Sequence, residues 1–386
     1  MDPSIYDNEV TEQIRDQVLR FVEEEVRPNG DAWEQAGMVP REALRKLGSL
    51  GVYGIRYPER YGGAELNTLA TCAYAEALSR STYSGFNVSA LVHSDMASPH
   101  LARFGTPEQL DRHMPGIVSG ETITAIAVTE PGGGSDVAAL RSKAERSGNG
   151  WVLNGTKTFI TNGVHADLCF VAARTNPDTK PSRGISIFIV ERDTPGFTVG
   201  RQLKKMGWHS SDTAELVFED CRLPADALLG EVDRGFYAIM QNFQNERIVC
   251  GAMAIGEAQK AIDLTLQYVQ DRQAFGGPLW DKQAIRQRLA SLQAEVLAAR
   301  QLIYHAAWLD SEGRDATKEV SMVKALCGEL VNRVLYSCQQ FHGGFGYMYE
   351  TTIERMVRDA RIQAIGGGAT EVMLEEVAKR MQADPR

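Results

Sequence analysis

The spacing of apolar residues changes twice along this chain of 386 residues, and those changes constrain its fold more than any other feature. Up to about residue 120, apolar residues recur at helical intervals, as at Val10, Ile14 and Val18. Between about 121 and 230, short runs rich in β-forming residues are separated by Gly, Pro, Asn and Asp. Beyond residue 230 the helical period returns in long segments. The sequence therefore predicts helices, then a sheet, then helices again.

This order of elements predicts an α+β protein of three domains. We expect an N-terminal helical domain (1–120), a middle antiparallel β domain that is a barrel or sandwich (121–230), and a C-terminal helical bundle (231–386). A doubly wound parallel sheet is not expected, because no long helix lies between the β-rich runs. Helices are predicted at 10–26, 41–50, 66–78, 89–103, 107–119, 236–272, 281–309, 317–341 and 369–381. Strands are predicted at 123–128, 151–153, 157–161, 168–173, 185–191, 197–200 and 214–218.

Local signals refine three of these elements. Pro28 and Gly30 predict the end of the first helix. Asn154-Gly155 predicts a two-residue hairpin turn between two strands. The helix at 317–341 is predicted to bury one apolar stripe, formed by Val320, Val323, Leu326, Leu330, Val334 and Cys338.

Charge, hydropathy and cysteine spacing exclude several classes of protein. The formal net charge of −9 argues against general nucleic-acid binding. No apolar run approaches the roughly 18 residues of a membrane span, and residues 1–4 resemble neither a signal peptide nor a transit peptide. The six cysteines include no C-x-x-C pair, so neither a zinc site nor a disulfide framework is predicted. We expect a cytoplasmic protein with no membrane span and no bound metal ion.

A glycine-rich stretch begins the β-rich part of the chain. The apolar run 125–128 leads into Thr129-Glu130-Pro131 and three glycines at 132–134, which are followed by Ser135 and Asp136. Glycines let the backbone adopt positive φ and approach a bound group closely, with N–H groups free to donate. No G-x-G-x-x-G motif begins a helix here, so this is not a dinucleotide fingerprint. Taken alone, the stretch fits an ordinary tight loop equally well.

Six segments, in the right order, resemble the acyl-CoA dehydrogenase family, and the resemblance covers nearly the whole chain. Two of them are the glycine-rich stretch and Thr158-Phe159-Ile160-Thr161-Asn162-Gly163. The other four are the segment 47–63 with Pro58 and Tyr61-Gly62-Gly63, Phe104-Gly105-Thr106 followed by Glu108-Gln109, Arg272-Gln273-Ala274-Phe275-Gly276, and Gln340-Phe341-His342-Gly343-Gly344-Phe345-Gly346-Tyr347.

The resemblance implies a bound FAD that is shared between the subunits of a homotetramer. It implies that the flavin is lined or approached by Val128, Thr129, Ser135, Phe159, Ile160, Thr161 and Thr370. It implies that the adenosine-diphosphate half is contacted by Arg272, Phe275, Gln283, Gln340 and Gly344. An Arg fork suits a pyrophosphate, and the pair Gly343-Gly344 permits close backbone approach. Without this context, Arg272 would be interpreted as a solvated charge at a helix end.

The resemblance also indicates where the catalytic base lies. Many family members carry it in a Tyr-Glu-Gly-Thr segment near the C-terminus, where this chain has Gly366 at the Tyr position, Gly367 at the Glu position and Ala369 at the Thr position. Isovaleryl-CoA and long-chain acyl-CoA dehydrogenases instead carry the base on an earlier helix, in a segment similar to 245–249. The implied base is therefore Glu246, although a single Glu on a helix is by default a surface residue.

The implied reaction converts an acyl-CoA thioester to a trans-2-enoyl-CoA. The α-hydrogen of a thioester is too weakly acidic for a carboxylate at the reference pKa of about 4.3, so burial should raise the pKa of Glu246. The backbone N–H of Gly367 would hydrogen-bond the thioester oxygen, and Arg247 would contact CoA. Ser135 and Gly366 complete the implied substrate contacts, and an electron-transfer flavoprotein is the implied electron acceptor.

Gly366 and Gly367 leave room beside the acyl β-carbon, which favours a branched or long acyl chain. A flexible loop is the alternative interpretation of the two glycines.

Two other functions are alternatives. An acyl-CoA oxidase would pass electrons to O2, but such proteins usually carry an extra C-terminal region for which 386 residues leave no room. A non-catalytic flavoprotein or binding scaffold of the same fold is the second, because Gly367 replaces the usual Glu.

Overall fold

The computed structural model describes residues 5–383, so the expectation about residues 1–4 lies outside the described residues. The first part of the chain is helical and leads directly to the sheet. Two of its helices begin with capping boxes, in which Asn8 and Thr106 accept hydrogen bonds from backbone N–H groups of the first turn. The α-helices are α1 (Glu9–Phe21), α2 (Arg27–Ala36), α3 (Arg41–Gly48), α4 (Thr68–Leu78), α5 (Ser84–Leu91), α6 (Ser98–Phe104) and α7 (Pro107–Ser119).

The predicted end of the first helix at Pro28 and Gly30 is wrong. A π turn at Val22–Val26 connects α1 to α2 without a break. Pro28 lies in the first turn of α2, directly after the π turn. A Cβ on Gly30 would lie 2.5 Å from the ring of Tyr83, so this glycine permits close packing instead of ending the helix.

The middle part is an eight-stranded sheet in the order β6-β7-β3-β2-β4-β5-β8, with β1 paired to β4. Its pairings are antiparallel except those of β1 and β2 with β4, which are parallel. Short apolar runs form the strands because alternate side chains enter the cores on the two faces. The strands are β1 (Thr124–Ala127), β2 (Lys143–Ser147), β3 (Gly150–Thr161), β4 (Leu168–Arg174), β5 (Ile185–Glu191), β6 (Phe197–Gln202), β7 (Thr213–Leu223) and β8 (Leu228–Leu229).

The predicted hairpin turn at Asn154-Gly155 is wrong, since both residues lie inside the single strand β3. The turn lies between β2 and β3, where Gly148 has a φ of +57°. Gly155 lies at an irregularity in the pairing of β3 with β7, and a Cβ there would be 2.3 Å from Ser142 Oγ. Close backbone approach, not a turn, requires the glycine.

The last part is a bundle of long helices. These are α8 (Gly235–Asp271), α9 (Gln283–Ser311), α10 (Thr317–His342), α11 (Thr352–Ala360) and α12 (Thr370–Ala383), with the short strands β9 (Gln273–Ala274) and β10 (Gly277–Pro278) after α8. The predicted stripe on α10 is buried except at Leu326, which is 42% exposed. The centre of the buried face is occupied by Cys327 and Val331, one position further along the chain, which leaves Leu326 at its edge.

One apolar core joins the first and last helical parts, and α8 is its central element. This helix packs against α4, α9 and α10. Its residues Ile248, Val249 and Ile255 are at most 1% exposed. No helix among residues 5–383 is long and apolar enough to cross a membrane. The same described residues contain no group of three His, Cys, Asp or Glu side chains that could hold a metal ion.

Candidate active site

Glu246 lies on α8, beside the loop that connects α11 to α12. The residue is partly buried. Burial raises the pKa of Glu246, and the positive charges of Arg247 and Lys324 act in the opposite direction. A carboxyl group in this environment can accept a proton at a pH higher than a solvated one can.

The loop between α11 and α12 brings Gly367 against this carboxyl group. Gly367 has a φ of +67°, a conformation that favours glycine. A Cβ built there would lie close to three side-chain atoms, 3.2 Å from Glu246 Oε1, 3.4 Å from Cys250 Sγ and 3.5 Å from Lys324 Cε. The N–H of Gly367 has no hydrogen-bond partner in the described part of the chain. A carboxyl group and a free backbone donor therefore lie side by side.

Arg247 and Gly366 are the sequence neighbours of Glu246 and Gly367. The side chain of Arg247 is buried, and its guanidinium lies 5.4 Å from the centre of the Phe243 ring. The Arg247 Nε atom is buried and has no hydrogen-bond partner among residues 5–383. Gly366 is exposed, and a Cβ there would meet only Ile362 atoms at 3.6–3.9 Å, which is ordinary contact. A side chain could therefore be accommodated at Gly366.

A buried ion pair holds the glycine-rich loop after β1 in place. Lys157 Nζ donates to Glu130 Oε1 at 2.7 Å and to the carbonyl oxygen of Val128 at 3.1 Å. The Glu130 carboxylate also accepts hydrogen bonds from the backbone N–H groups of Arg141 and Ser142. Both ends of the loop are thus tied to one buried charge pair.

Within this loop, Val128 and Thr129 are half-buried and Ser135 is exposed. Gly132, Gly133 and Gly134 do not use the positive φ that glycine permits. A Cβ on either of the first two would meet nothing within 4 Å. The loop is therefore open on its outer side, with room for a bound group.

The end of β3 lies beside the loop, because the N–H of Thr158 donates to the carbonyl oxygen of Thr129 at 2.9 Å. Phe159 has a φ of +59° and is 69% exposed, an unusual position for a large aromatic side chain. Ile160 is buried in the core of the sheet, so only its backbone can contact a ligand, and Thr161 is half-buried. Val128, Thr129, Phe159 and Thr161 thus come together at one edge.

A second group of implied cofactor residues lies at the far end of α8. The rings of Tyr268 and His342 stack at 4.2 Å, and Tyr268 Oη donates to the carbonyl oxygen of His342. This contact brings the segment that begins at Arg272 beside the end of α10. The implied cofactor residues there, all exposed, are Arg272, Phe275, Gln283, Gln340 and Gly344. Phe275 is 94% exposed, and a Cβ on Gly343 or Gly344 would meet nothing within 4 Å.

The second group lies far from Glu246 within one chain. Arg272 follows Glu246 by 26 positions along one helix, which corresponds to a rise of about 39 Å at roughly 1.5 Å per residue. Thr370, the first residue of α12, is half-buried and donates to Glu329 Oε1 at 3.0 Å, so its hydroxyl is already engaged at the end of the loop.

Two buried lysines of the site were not predicted from the sequence, Lys157 and Lys324, which are 0% and 2% exposed. A signal for each is present. Lys157 alternates with Trp151 and Leu153 on the inward face of β3. Lys324 falls between Val320 and Cys327 on the buried face of α10.

Comparison with known proteins identifies the family. Models of the acyl-CoA dehydrogenase N-terminal, middle and C-terminal domains match residues 8–121, 125–221 and 233–382. The chain is 42% identical over 374 residues to a mitochondrial long-chain specific acyl-CoA dehydrogenase of Mus musculus, covering 96% of this chain and 86% of that protein.

Two solved structures are similar over nearly the whole chain. An acyl-CoA dehydrogenase from Geobacillus kaustophilus has a TM-score of 0.94 and 40% identity, covering 98% of this chain and 100% of that one. A glutaryl-CoA dehydrogenase from Mycobacterium smegmatis in complex with FADH2 has a TM-score of 0.92 and 28% identity, covering 99% and 96%. The chain belongs to the acyl-CoA dehydrogenase family. It is an oxidoreductase with that family's fold, in which the sheet follows the first helical part along the chain and precedes the last.

Proposed function

We propose that this protein catalyses the FAD-dependent α,β-dehydrogenation of an acyl-CoA thioester to a trans-2-enoyl-CoA. The observation that carries the proposal is the pairing of the Glu246 carboxyl group with the free N–H of Gly367, separated by 3.2 Å from Oε1 to the Cβ position of Gly367. One group can take the α-proton, and the other can donate to the thioester oxygen as negative charge develops on it. Both are needed because the substrate is a weak carbon acid.

Two groups of exposed or half-buried residues fit a bound FAD. The loop after β1 is open, and the exposed ring of Phe159 beside it offers an aromatic surface to a flavin. At the far end of α8, exposed Arg272 and the unobstructed backbone at Gly343 and Gly344 fit a pyrophosphate. A bound FAD would supply the redox chemistry by accepting the hydride that leaves the β-carbon.

The chain's own residues would carry out the proton transfer and the binding. Glu246 would hold the α-proton at its carboxylate oxygen, with burial supplying the raised pKa that this step requires. Arg247, whose guanidinium lies near the Phe243 ring, would contact CoA. Ser135 is proposed as a further contact at the open edge of the glycine-rich loop. The apolar surroundings of α8 would exclude water from the reacting atoms.

A branched or long acyl group is the proposed substrate, because glycines at 366 and 367 leave space beside the carboxyl group. An electron-transfer flavoprotein is the proposed electron acceptor, and a cytoplasmic location stays a prediction.

The experiment that tests the proposal is anaerobic mixing with a panel of acyl-CoAs. Bleaching of the flavin, with slow reoxidation in air, is expected. Fast reoxidation by O2 would indicate an oxidase, and the absence of bleaching with every acyl-CoA would indicate a non-catalytic flavoprotein.

We predict a homotetramer with one non-covalent FAD per chain. Within one chain, the implied cofactor residues at the end of α8 lie about 39 Å from Glu246 along that helix, so we infer that each FAD is contacted by two subunits. Exposed aromatic side chains at Phe275, Phe345 and Tyr347 would be covered at the same contacts. Light scattering and the flavin absorbance of the purified protein provide the measurement. A monomer that retains FAD tightly would contradict the shared site, and a protein that binds no FAD would contradict the whole proposal.

Gly366→Tyr is predicted to shift substrate preference from branched to straight acyl chains. The backbone at Gly366 tolerates a side chain, and a new ring would occupy the volume that a β-methyl group needs. Activity on a straight-chain substrate should survive within about tenfold, which is roughly 1.4 kcal/mol in barrier height. The measurement is the ratio of kcat/KM for a β-branched and a straight acyl-CoA in both proteins. An unchanged ratio would show that this glycine does not determine the substrate.

A further inference from the structure

Lys324 places a buried positive charge beside the proposed catalytic base. It lies on α10 and is 2% exposed. Its Nζ donates to the carbonyl oxygen of Gln363 at 2.6 Å and to that of Gly368 at 3.0 Å. These two carbonyl groups lie before and after Gly366 and Gly367 in the chain. One ammonium group therefore holds both ends of the short loop that carries the proposed oxyanion donor.

Anchoring the loop does not by itself require a charge. On the same helix, Asn332 Nδ2 donates to the carbonyl oxygens of Gly328 and Ala360 at 2.7 and 3.1 Å. About two turns away, a neutral amide thus binds two backbone carbonyl groups, one of them at the end of α11. Burying an ammonium is costlier than burying an amide. In the described part of the chain, no carboxylate lies within ion-pair distance of Lys324. Its charge is instead felt at longer range by Glu246.

We propose that Lys324 is a positioning residue for the dehydrogenation. Its two hydrogen bonds fix the loop so that the Gly367 N–H is directed at the thioester oxygen, and its positive charge lies close to the Glu246 carboxyl group. This inference rests on the proposed function, in which Glu246 is the base. Lys324 touches neither substrate nor cofactor in this account and acts through the loop and the carboxyl group.

The charged and titratable groups around Glu246 determine the direction of the effect. From α8 they are Arg247 and Cys250, from α10 Lys324, and from α12 Glu376, which acts on Arg247. Arg247 and Lys324 both lower the pKa of Glu246, against the effect of burial. Removing the Lys324 ammonium removes one of the two charges that counteract the effect of burial. The pKa of Glu246 therefore rises. Because a base must be deprotonated to act, the acid limb of activity must move to higher pH.

The test compares Lys324→Met and Lys324→Gln with the wild type as holoenzymes, using an acyl-CoA that bleaches the wild-type flavin. For both variants, kcat/KM is expected to fall on the order of tenfold on the acid side of the profile, with the loss shrinking as the pH rises. Asn332→Leu is the matched control, since it removes two neutral hydrogen bonds from the same helix. Its acid limb should not move.

Hydrogen exchange of the segment 363–370, measured without substrate, tests the loop directly. Exchange is expected to be fastest in Lys324→Met and slower in Lys324→Gln, whose amide can still donate to one carbonyl group. A loss of equal size at every pH, an unchanged profile, or failure of both variants to fold would reduce Lys324 to a structural residue and overturn the proposal. A wild type that no acyl-CoA bleaches would contradict the proposed function instead, and hydrogen exchange would still test the anchoring.

Discussion

Glu246→Gln should retain the fold and FAD while substrate-dependent bleaching of the flavin falls by at least roughly 10²–10⁴-fold, the contribution of a positioned general base. The amide has nearly the shape of the carboxyl group but cannot accept the α-proton. No other carboxyl group lies as close to the Gly367 position among residues 5–383, so no substitute base is expected. Single-turnover bleaching with the best acyl-CoA of the panel measures the loss.

Glu371→Gln is the matched control for this variant. Glu371 is the carboxylate next to the loop in sequence, but it is exposed on the first turn of α12. Its removal should leave the bleaching rate within a few-fold of the wild type. The opposite outcome, an active Glu246→Gln and an inactive Glu371→Gln, would show that the base has been assigned to the wrong residue.

The order of structural elements was predictable from the sequence because the period of burial differs between helix and sheet. The segment 107–119 forms the predicted helix because it has a helical period. The segment 185–191 forms the predicted strand as a short apolar run that is buried at six successive positions. The helix α11 was missed, as was strand β2, which is exposed at four of its five positions. Such a strand carries almost no apolar alternation, so its pairing with β3 decides its structure.

Tertiary contacts also explain the three local errors. The sequence predicts a helix end at Gly30 and a hairpin turn at Gly155. Instead, Gly30 makes room for the ring of Tyr83, and Gly155 makes room for the side chain of Ser142. A sequence shows that a residue lacks a side chain and does not show what occupies the space. Leu326 was placed on a stripe whose centre lies at its neighbour Cys327. A shift of one position turns a helix by about 100°.

For the site, the sequence predicts which residues take part, through their resemblance to the family's segments. It does not predict how they contact each other. Glu246 and Gly367, which are 121 positions apart in the chain, are brought into contact by the packing of α8 against the loop before α12. The buried lysines escaped prediction because lysine is by default a surface residue. Their burial depends on partners that only the fold supplies, namely backbone carbonyl groups for Lys324 and Glu130 for Lys157.

Lys157→Met should destabilise the β domain by about 3–5 kcal/mol, because it leaves a buried carboxylate without its counter-charge. Lys157 is 0% exposed and Glu130 is 8% exposed. In the variant, Glu130 would keep only the backbone N–H groups of Arg141 and Ser142, and the carbonyl group of Val128 would lose its donor. The glycine-rich loop should then open, with faster hydrogen exchange over residues 128–142 and weaker retention of FAD.

Two further variants separate the buried charge from other effects of the substitution. Lys143→Met on β2 breaks an exposed ion pair with Glu145 and should cost at most about 1 kcal/mol. The double variant Lys157→Met with Glu130→Gln removes both buried charges and should recover part of the lost stability, since the remaining amide is cheaper to bury than a carboxylate. Thermal unfolding and hydrogen exchange measure all three. If Lys157→Met were as mild as Lys143→Met, the buried pair would not be what holds the loop, and the flavin edge would have to be ordered by the bound cofactor itself.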